Sequence, residues 1–169
     1  MRSLFLLVVA GLVSLTACGG DDGSPGGAAG SGGGAGSGGT SGAGDCNALV
    51  NDGADIPETS QTGALPTLTG GSVADGTYVL TTRQDWEGSC GCTSRQKLMI
   101  SGSKVELVAR TDSGPDQHIS ATATLTGNQL SLAIDCPGVT SQQFTYSATA
   151  TELQIFDAAD QSLDIYTKQ

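Results

Sequence analysis

The sequence predicts a small all-β domain, a meander of eight antiparallel strands over residues 76–169, and three observations carry that prediction. Apolar and polar residues alternate with a period of two, the sign of strands with one buried face. The alternating runs are separated by short turns rich in Gly, Asn, Ser and Pro. Short connections make consecutive strands antiparallel neighbours, because a parallel crossover needs about a dozen residues or more. No stretch of useful length carries the 3.6-residue apolar period of an amphipathic helix. Such a meander buries its apolar face either by closing into an up-and-down barrel or by folding over as a two-sheet sandwich.

The first strand is read at residues 77–82, around Tyr78 and Leu80, and a long loop holding Trp86, Cys90 and Cys92 follows it. Residues 96–101, with Leu98 and Ile100 on one face, turn through Gly102-Ser103 into residues 104–111, with Val105, Leu107 and Ala109 on one face. Residues 118–126 show the strictest alternation, with Ile119, Ala121, Ala123 and Leu125 separated by Ser and Thr. Gly127-Asn128 turns them into residues 129–136, where Leu130, Leu132, Ile134 and Cys136 share a face. The last three strands are read at 143–148 with Phe144 and Tyr146, at 152–157 with Leu153 and Ile155, and at 163–167 with Leu163 and Ile165.

Upstream, residues 45–75 mix Cys46, Leu49, Val50, Ile56, Leu65 and Leu68 with turn formers, and are read as an extended, partly ordered arm with one helical turn at 46–50. The acidic run Asp52-Gly53-Ala54-Asp55, followed by Glu58, lacks the spacing of a calcium loop and reads as a solvated turn. Residues 19–44 are almost entirely Gly, Ser and Ala. No core forms from such a composition; a coil of that length spans on the order of 30 Å.

Arg2, the apolar run from Leu4 to Leu15 and the small pair Thr16-Ala17 have the form of a cleaved secretory signal over residues 1–17. The run is shorter than the ~20 residues that span a bilayer. Leu15-Thr16-Ala17-Cys18 resembles the lipobox of bacterial lipoproteins. The resemblance implies diacylglycerol on the Cys18 thiol, a mature chain beginning at Cys18, and further acylation of its amine. Two or more acyl chains make anchoring stable where one is marginal. It also implies a cell-envelope location, with the outer membrane preferred because Gly19 and Gly20 stand where some bacteria read an acidic retention signal.

Removing residues 1–17 takes Arg2 and no acid, so six basic side chains face seventeen acidic ones, a formal charge of −11. That excess excludes nucleic acid as an expected partner, since phosphate binding needs clustered Lys and Arg. A soluble monomeric domain held to the membrane through Cys18 is expected. With Cys18 lipidated, Cys46, Cys90, Cys92 and Cys136 form an even set in an oxidising compartment. Only Gly91 separates Cys90 from Cys92, a tight ring for a bridge. The expected staples therefore join Cys46 to one of this pair and Cys136 to the other, with either choice open.

The lipobox, the Gly-rich tether and a strand meander opening on Gly76-Thr77-Tyr78 and closing on 163–168 resemble the small lipocalin-like lipoproteins of bacteria. Tyr78 stands where lipocalins carry Trp, and Lys168 is the late basic residue. The resemblance implies a barrel that holds a small apolar molecule. Trp86 and Tyr78 are the candidate ligand contacts, Trp86 because a lone indole in a long loop either lines the barrel mouth or plugs its end. No catalytic constellation is expected: the single histidine, His118, has no nucleophile or carboxylate signature around it. No His/Cys cluster has zinc spacing, and no cofactor or metal is expected. The alternative to a non-enzymatic binding module is a structural or interaction protein of the envelope with a filled core. Small inward residues such as Ala121 and Ala123 fit either a cavity or close packing.

Overall fold

The computed structural model describes residues 46–169, so the apolar leader, Cys18, the Gly-rich segment and Asp45 lie outside the described residues. Nine strands form: β1 (Ile56–Ser60), β2 (Gly76–Asp85), β3 (Thr93–Ser101), β4 (Lys104–Thr111), β5 (Gln117–Thr126), β6 (Gln129–Cys136), β7 (Thr140–Ala148), β8 (Glu152–Asp157) and β9 (Ser162–Lys168). From β2 onward each strand pairs antiparallel with the next, and β2 pairs with β9 from Tyr78↔Lys168 to Asp85↔Ser162, closing the meander into a barrel-like ring. The all-β expectation is met, in its closed form. Inward-facing Tyr78, Leu80, Leu98, Ile100, Leu107, Phe144 and Tyr146 make the core.

Residues 46–75 are more than an arm. Direct β2–β3 pairing is confined to Gly76–Val79 against Lys97–Ile100, and beyond it β1 enters the gap. It runs parallel to β2 at Glu58↔Arg83 and antiparallel to β3 at Ile56↔Ser94. The helical turn expected at 46–50 does not form: these residues carry no helix. The reason is that Asn47 gives its amide to the carbonyls of Leu107 and Ile119, at 3.1 and 2.8 Å. The Cys46 carbonyl in turn accepts from Ser120 Oγ at 2.6 Å. Where this segment crosses β4 and β5, the outward-facing Val108 is fully buried. Asp52 pairs with Lys97 at 2.8 Å, and Asp55 with Arg95 and Arg110 at 2.9 and 3.2 Å. These hydrogen-bonded cations hold both carboxyls below the ordinary range, so the acidic run fastens the arm to the outside of the ring.

The cysteine expectation is corrected. Cys46 is joined to Cys136 (Cα–Cα 5.5 Å) and Cys90 to Cys92 (Cα–Cα 5.2 Å). Cys46 lies over Ser120, and Ser120 is the cross-strand partner of Cys136, so the arm delivers Cys46 there and not to the loop of residues 86–92. Gly91 adopts φ +69°, a left-handed conformation open to glycine, which folds the three-residue stretch back on itself.

A second correction concerns β9. Leu163 and Ile165 face outward, packed with Leu68, Phe156 and Trp86, while Asp164 and Tyr166 face the interior. Strands covered on both faces lose the plain alternation that reveals orientation. Leu68 belongs to a strap that crosses one end of the ring. Its Gly70 donates to the Tyr146 carbonyl (2.8 Å) and accepts from Ala148 N–H (3.0 Å). Tyr146 and Tyr78 donate their hydroxyls to the Gly71 and Ala74 carbonyls, at 2.9 and 2.6 Å. A Cβ on Gly70, whose φ is +75°, would collide with the Gly127 carbonyl.

Because the Cys46–Cys136 link closes a separation of 90 residues, Cys136→Ser is expected to cost about 2–5 kcal/mol. Cys90→Ser, which opens a separation of 2, should cost much less. Urea unfolding of both variants measures the contrast.

Candidate binding site

The interior of the ring is incompletely filled. Along β5 the inward positions carry Ala121 and Ala123 opposite larger residues of neighbouring strands, and a cavity of about 230 Å³ remains. Leu98, Leu107, Ile119, Leu132, Ile134 and Phe144 supply much of its apolar lining. Exposed Gly102 and Ser103 of the β3–β4 turn and the 42% exposed Leu125 also line it, so the cavity reaches the surface at that end. Val73, from the strap, stands among the same lining residues. Of the two readings the inward alanines allowed, the cavity is the one that forms.

One wall is charged. A register shift between Leu80 and Thr82, the usual work of a β-bulge, sets Arg83 of β2 opposite Asp164 of β9. Arg83 Nη1 donates to Asp164 Oδ1 and Oδ2, at 2.9 and 3.0 Å. Arg83 Nε donates to Glu58 Oε2 at 3.0 Å, so β1 contributes the second acid. Gln96 Nε2 reaches Asp164 Oδ2 at 3.4 Å, and Tyr166 donates its hydroxyl to Gln96 Oε1 at 2.6 Å. All three charged side chains are nearly buried, at 11, 6 and 10% exposure for Arg83, Glu58 and Asp164. Asp164 and Tyr166 line the cavity.

Burial and charge compete across this group. Desolvation pushes the Asp164 carboxyl above the ordinary range, against the pull of Arg83 and Gln96. Burial also works against the Arg83 charge, but Asp164 and Glu58 outweigh it and its pKa rises. The Tyr166 phenol is driven well above its usual value by burial and by the neighbouring Asp164 charge. Asp157, itself raised by burial, also lies within the field of Arg83. A single guanidinium thus serves several carboxylates.

The residues nominated from sequence fall elsewhere. Tyr78 is buried in the core, and Trp86 packs edge-on against Phe156 (centroids 6.1 Å apart) on the outside of β8 and β9. Neither is among the lining residues of the cavity, and Trp86 neither lines a mouth nor plugs an end. The indole is held outside because Leu68, Phe156 and Leu163 offer an apolar bed there. His118 Nδ1 lies 3.0 Å from Asn47 Oδ1, in the anchorage of the arm. Cys90 and Cys92 stand close to Glu58, but their sulfurs are bonded to each other and the Glu58 carboxylate accepts from Arg83 and from Cys90 N–H. Cys18 lies outside the described residues. Sequence reading missed Glu58, Arg83, Gln96, Asp164 and Tyr166; the detectable sign was an acid between two apolar residues in the middle of the last strand. Comparison with family models, curated proteins and solved structures returned no significant match.

Removing one member of a buried ion pair strands the other, so Arg83→Met is expected to destabilise the fold by about 3–5 kcal/mol, measured by urea unfolding at neutral pH. A raised folded pKa means that the native state binds the Asp164 proton more tightly than the unfolded chain does. The stabilisation is complete below the ordinary aspartate value of 3.8 and is lost as pH rises through the folded value. The stability of the unaltered chain relative to Asp164→Asn should therefore fall across that window and level off above it, in unfolding curves recorded from acid to neutral pH.

Proposed function

We propose that this chain is a lipid-anchored protein of the bacterial cell envelope, tethered through Cys18, whose ring of strands binds a small, largely apolar molecule without chemically altering it. The observation that carries the reading is the cavity of about 230 Å³ inside the ring, lined by the alternating apolar residues of β3 to β8. A purely structural envelope module would gain stability from filling that space, since each missing apolar contact costs dispersion energy. Ligand pockets share this form, a mostly apolar concavity with a few placed polar groups. The leader, the lipobox-like 15–18 and the Gly-rich 19–44 support the location. The hydrogen bond of His118 to Asn47 supports a role for that ring in holding the arm, in keeping with a binding function.

The test is native mass spectrometry of the exported chain carrying Cys18→Ala, purified gently from its own bacterium. A stoichiometric adduct that leaves on denaturation is expected. Ala123→Leu, which adds bulk to the lining at a cost of about 1–3 kcal/mol, should abolish the adduct while the ring stays folded. A bare mass in the unaltered chain, with no small-molecule binding by titration, would overturn the reading.

A further inference from the structure

The wall formed by Asp164 and Tyr166 says more about the occupant than its size does. An ionised carboxylate has about four lone-pair positions for hydrogen bonds. The Asp164 carboxylate accepts two contacts from Arg83 Nη1 and one from Gln96, which leaves Oδ1 with a single contact. The Tyr166 hydroxyl donates to Gln96 and lies against the Asp164 carboxyl. The polar face of this pair is mainly an accepting one, and a donor in the cavity would suit it.

Charge points the same way. Arg83 is shared between Glu58 and Asp164, so with both acids ionised the buried group carries one negative charge more than it has cations, and burial works against that ionisation. An isolated buried charge is costly unless it is paired, and a cation in the cavity would complete the pairing. The chain as a whole is acidic, with a formal net charge of −10, which raises the local concentration of cations and repels anions. Size adds the last constraint. An apolar cavity of about 150 Å³ accepts benzene, so one of about 230 Å³ suits a molecule of roughly six to eight carbon atoms.

We propose that the cavity takes a small amphiphilic amine, its ammonium docked on Asp164 and Tyr166 and its hydrocarbon part against the apolar lining of β4 to β6. This rests on the binding reading above and narrows it to a ligand class. The ammonium supplies three donors and a charge, whereas an alcohol supplies one donor and no charge, and a carboxylate is repelled.

The experiment is calorimetric titration of the full chain carrying Cys18→Ala with three probes of equal length, hexylammonium, 1-hexanol and hexanoate, at neutral pH. Hexylammonium should bind about tenfold or more tightly than hexanol, the scale of one charge-assisted hydrogen bond, with hexanoate weakest. Asp164→Asn should bring hexylammonium down to the affinity of hexanol and weaken hexylammonium far more than it alters hexanol. Should that variant unfold, Tyr166→Phe, which removes one acceptor and keeps the ion pairs, should weaken hexylammonium several-fold and hexanol less. Ala123→Leu should weaken both. Equal affinity for hexylammonium and hexanol would overturn the amine assignment and leave the apolar-ligand reading standing. Hexylammonium binding that survives both Ala123→Leu and the substitution at the wall would place it on the acidic surface and overturn the assignment. Failure of all three probes would overturn the assignment and the apolar-ligand reading together.

Discussion

Closure of the ring between β2 and β9 joins the ends of a meander that would otherwise present unpaired edges, the groups through which sheets aggregate. The same pairing sets the polar interior. Its register shift after Leu80 brings Arg83 across from Asp164, and the ion pair then forms from side chains already aligned by backbone hydrogen bonds. Because β2 leaves β3 beyond Val79, β1 enters the gap and carries Glu58 to the other side of the guanidinium. The charged wall is therefore a consequence of how the ring is closed.

A smaller set of apolar side chains lies outside the ring and depends in part on residues 46–75 for cover. Val108 is buried beneath the segment anchored by Asn47, and Leu163 and Phe156 beneath Leu68 and Trp86. The segment is held by three kinds of bond with different sensitivities. The Cys46–Cys136 bridge restrains the unfolded chain. The carbonyl contacts of Asn47 and Gly70 satisfy backbone groups that burial would otherwise strand. The Asp52 and Asp55 pairs are surface bridges of the kind that contribute little singly and are screened by salt.

Set against that economy, the interior is wasteful: it keeps a cavity and a cluster of buried charge, each of which works against stability. Filling the cavity from Ala123 or Ala121 would need only ordinary larger apolar residues. The combination of open apolar volume with an acidic wall of mainly accepting groups is the physical basis for reading the interior as a binding site.

How much of this was legible in the sequence follows from which contacts are local. Alternation and two-residue turns are properties of neighbouring residues, so all eight meander strands and most of the inward residues of β3 to β8 could be read directly. The all-β class and the absence of helix in the described residues follow from the same local pattern. β9 could not be oriented that way, because its outer face is covered by Leu68 and Trp86 from distant parts of the chain and both faces are buried. β1 carries no alternation of its own and is a strand only because β2 and β3 part to receive it. The disulfide partners likewise depended on where the arm crosses the ring, and on the left-handed turn at Gly91. By itself the sequence determined the fold class and the order of the strands. Only the tertiary structure decided the ring closure, the cavity and the meeting of Glu58, Arg83, Gln96, Asp164 and Tyr166, because those contacts join residues from four strands and no local pattern encodes them.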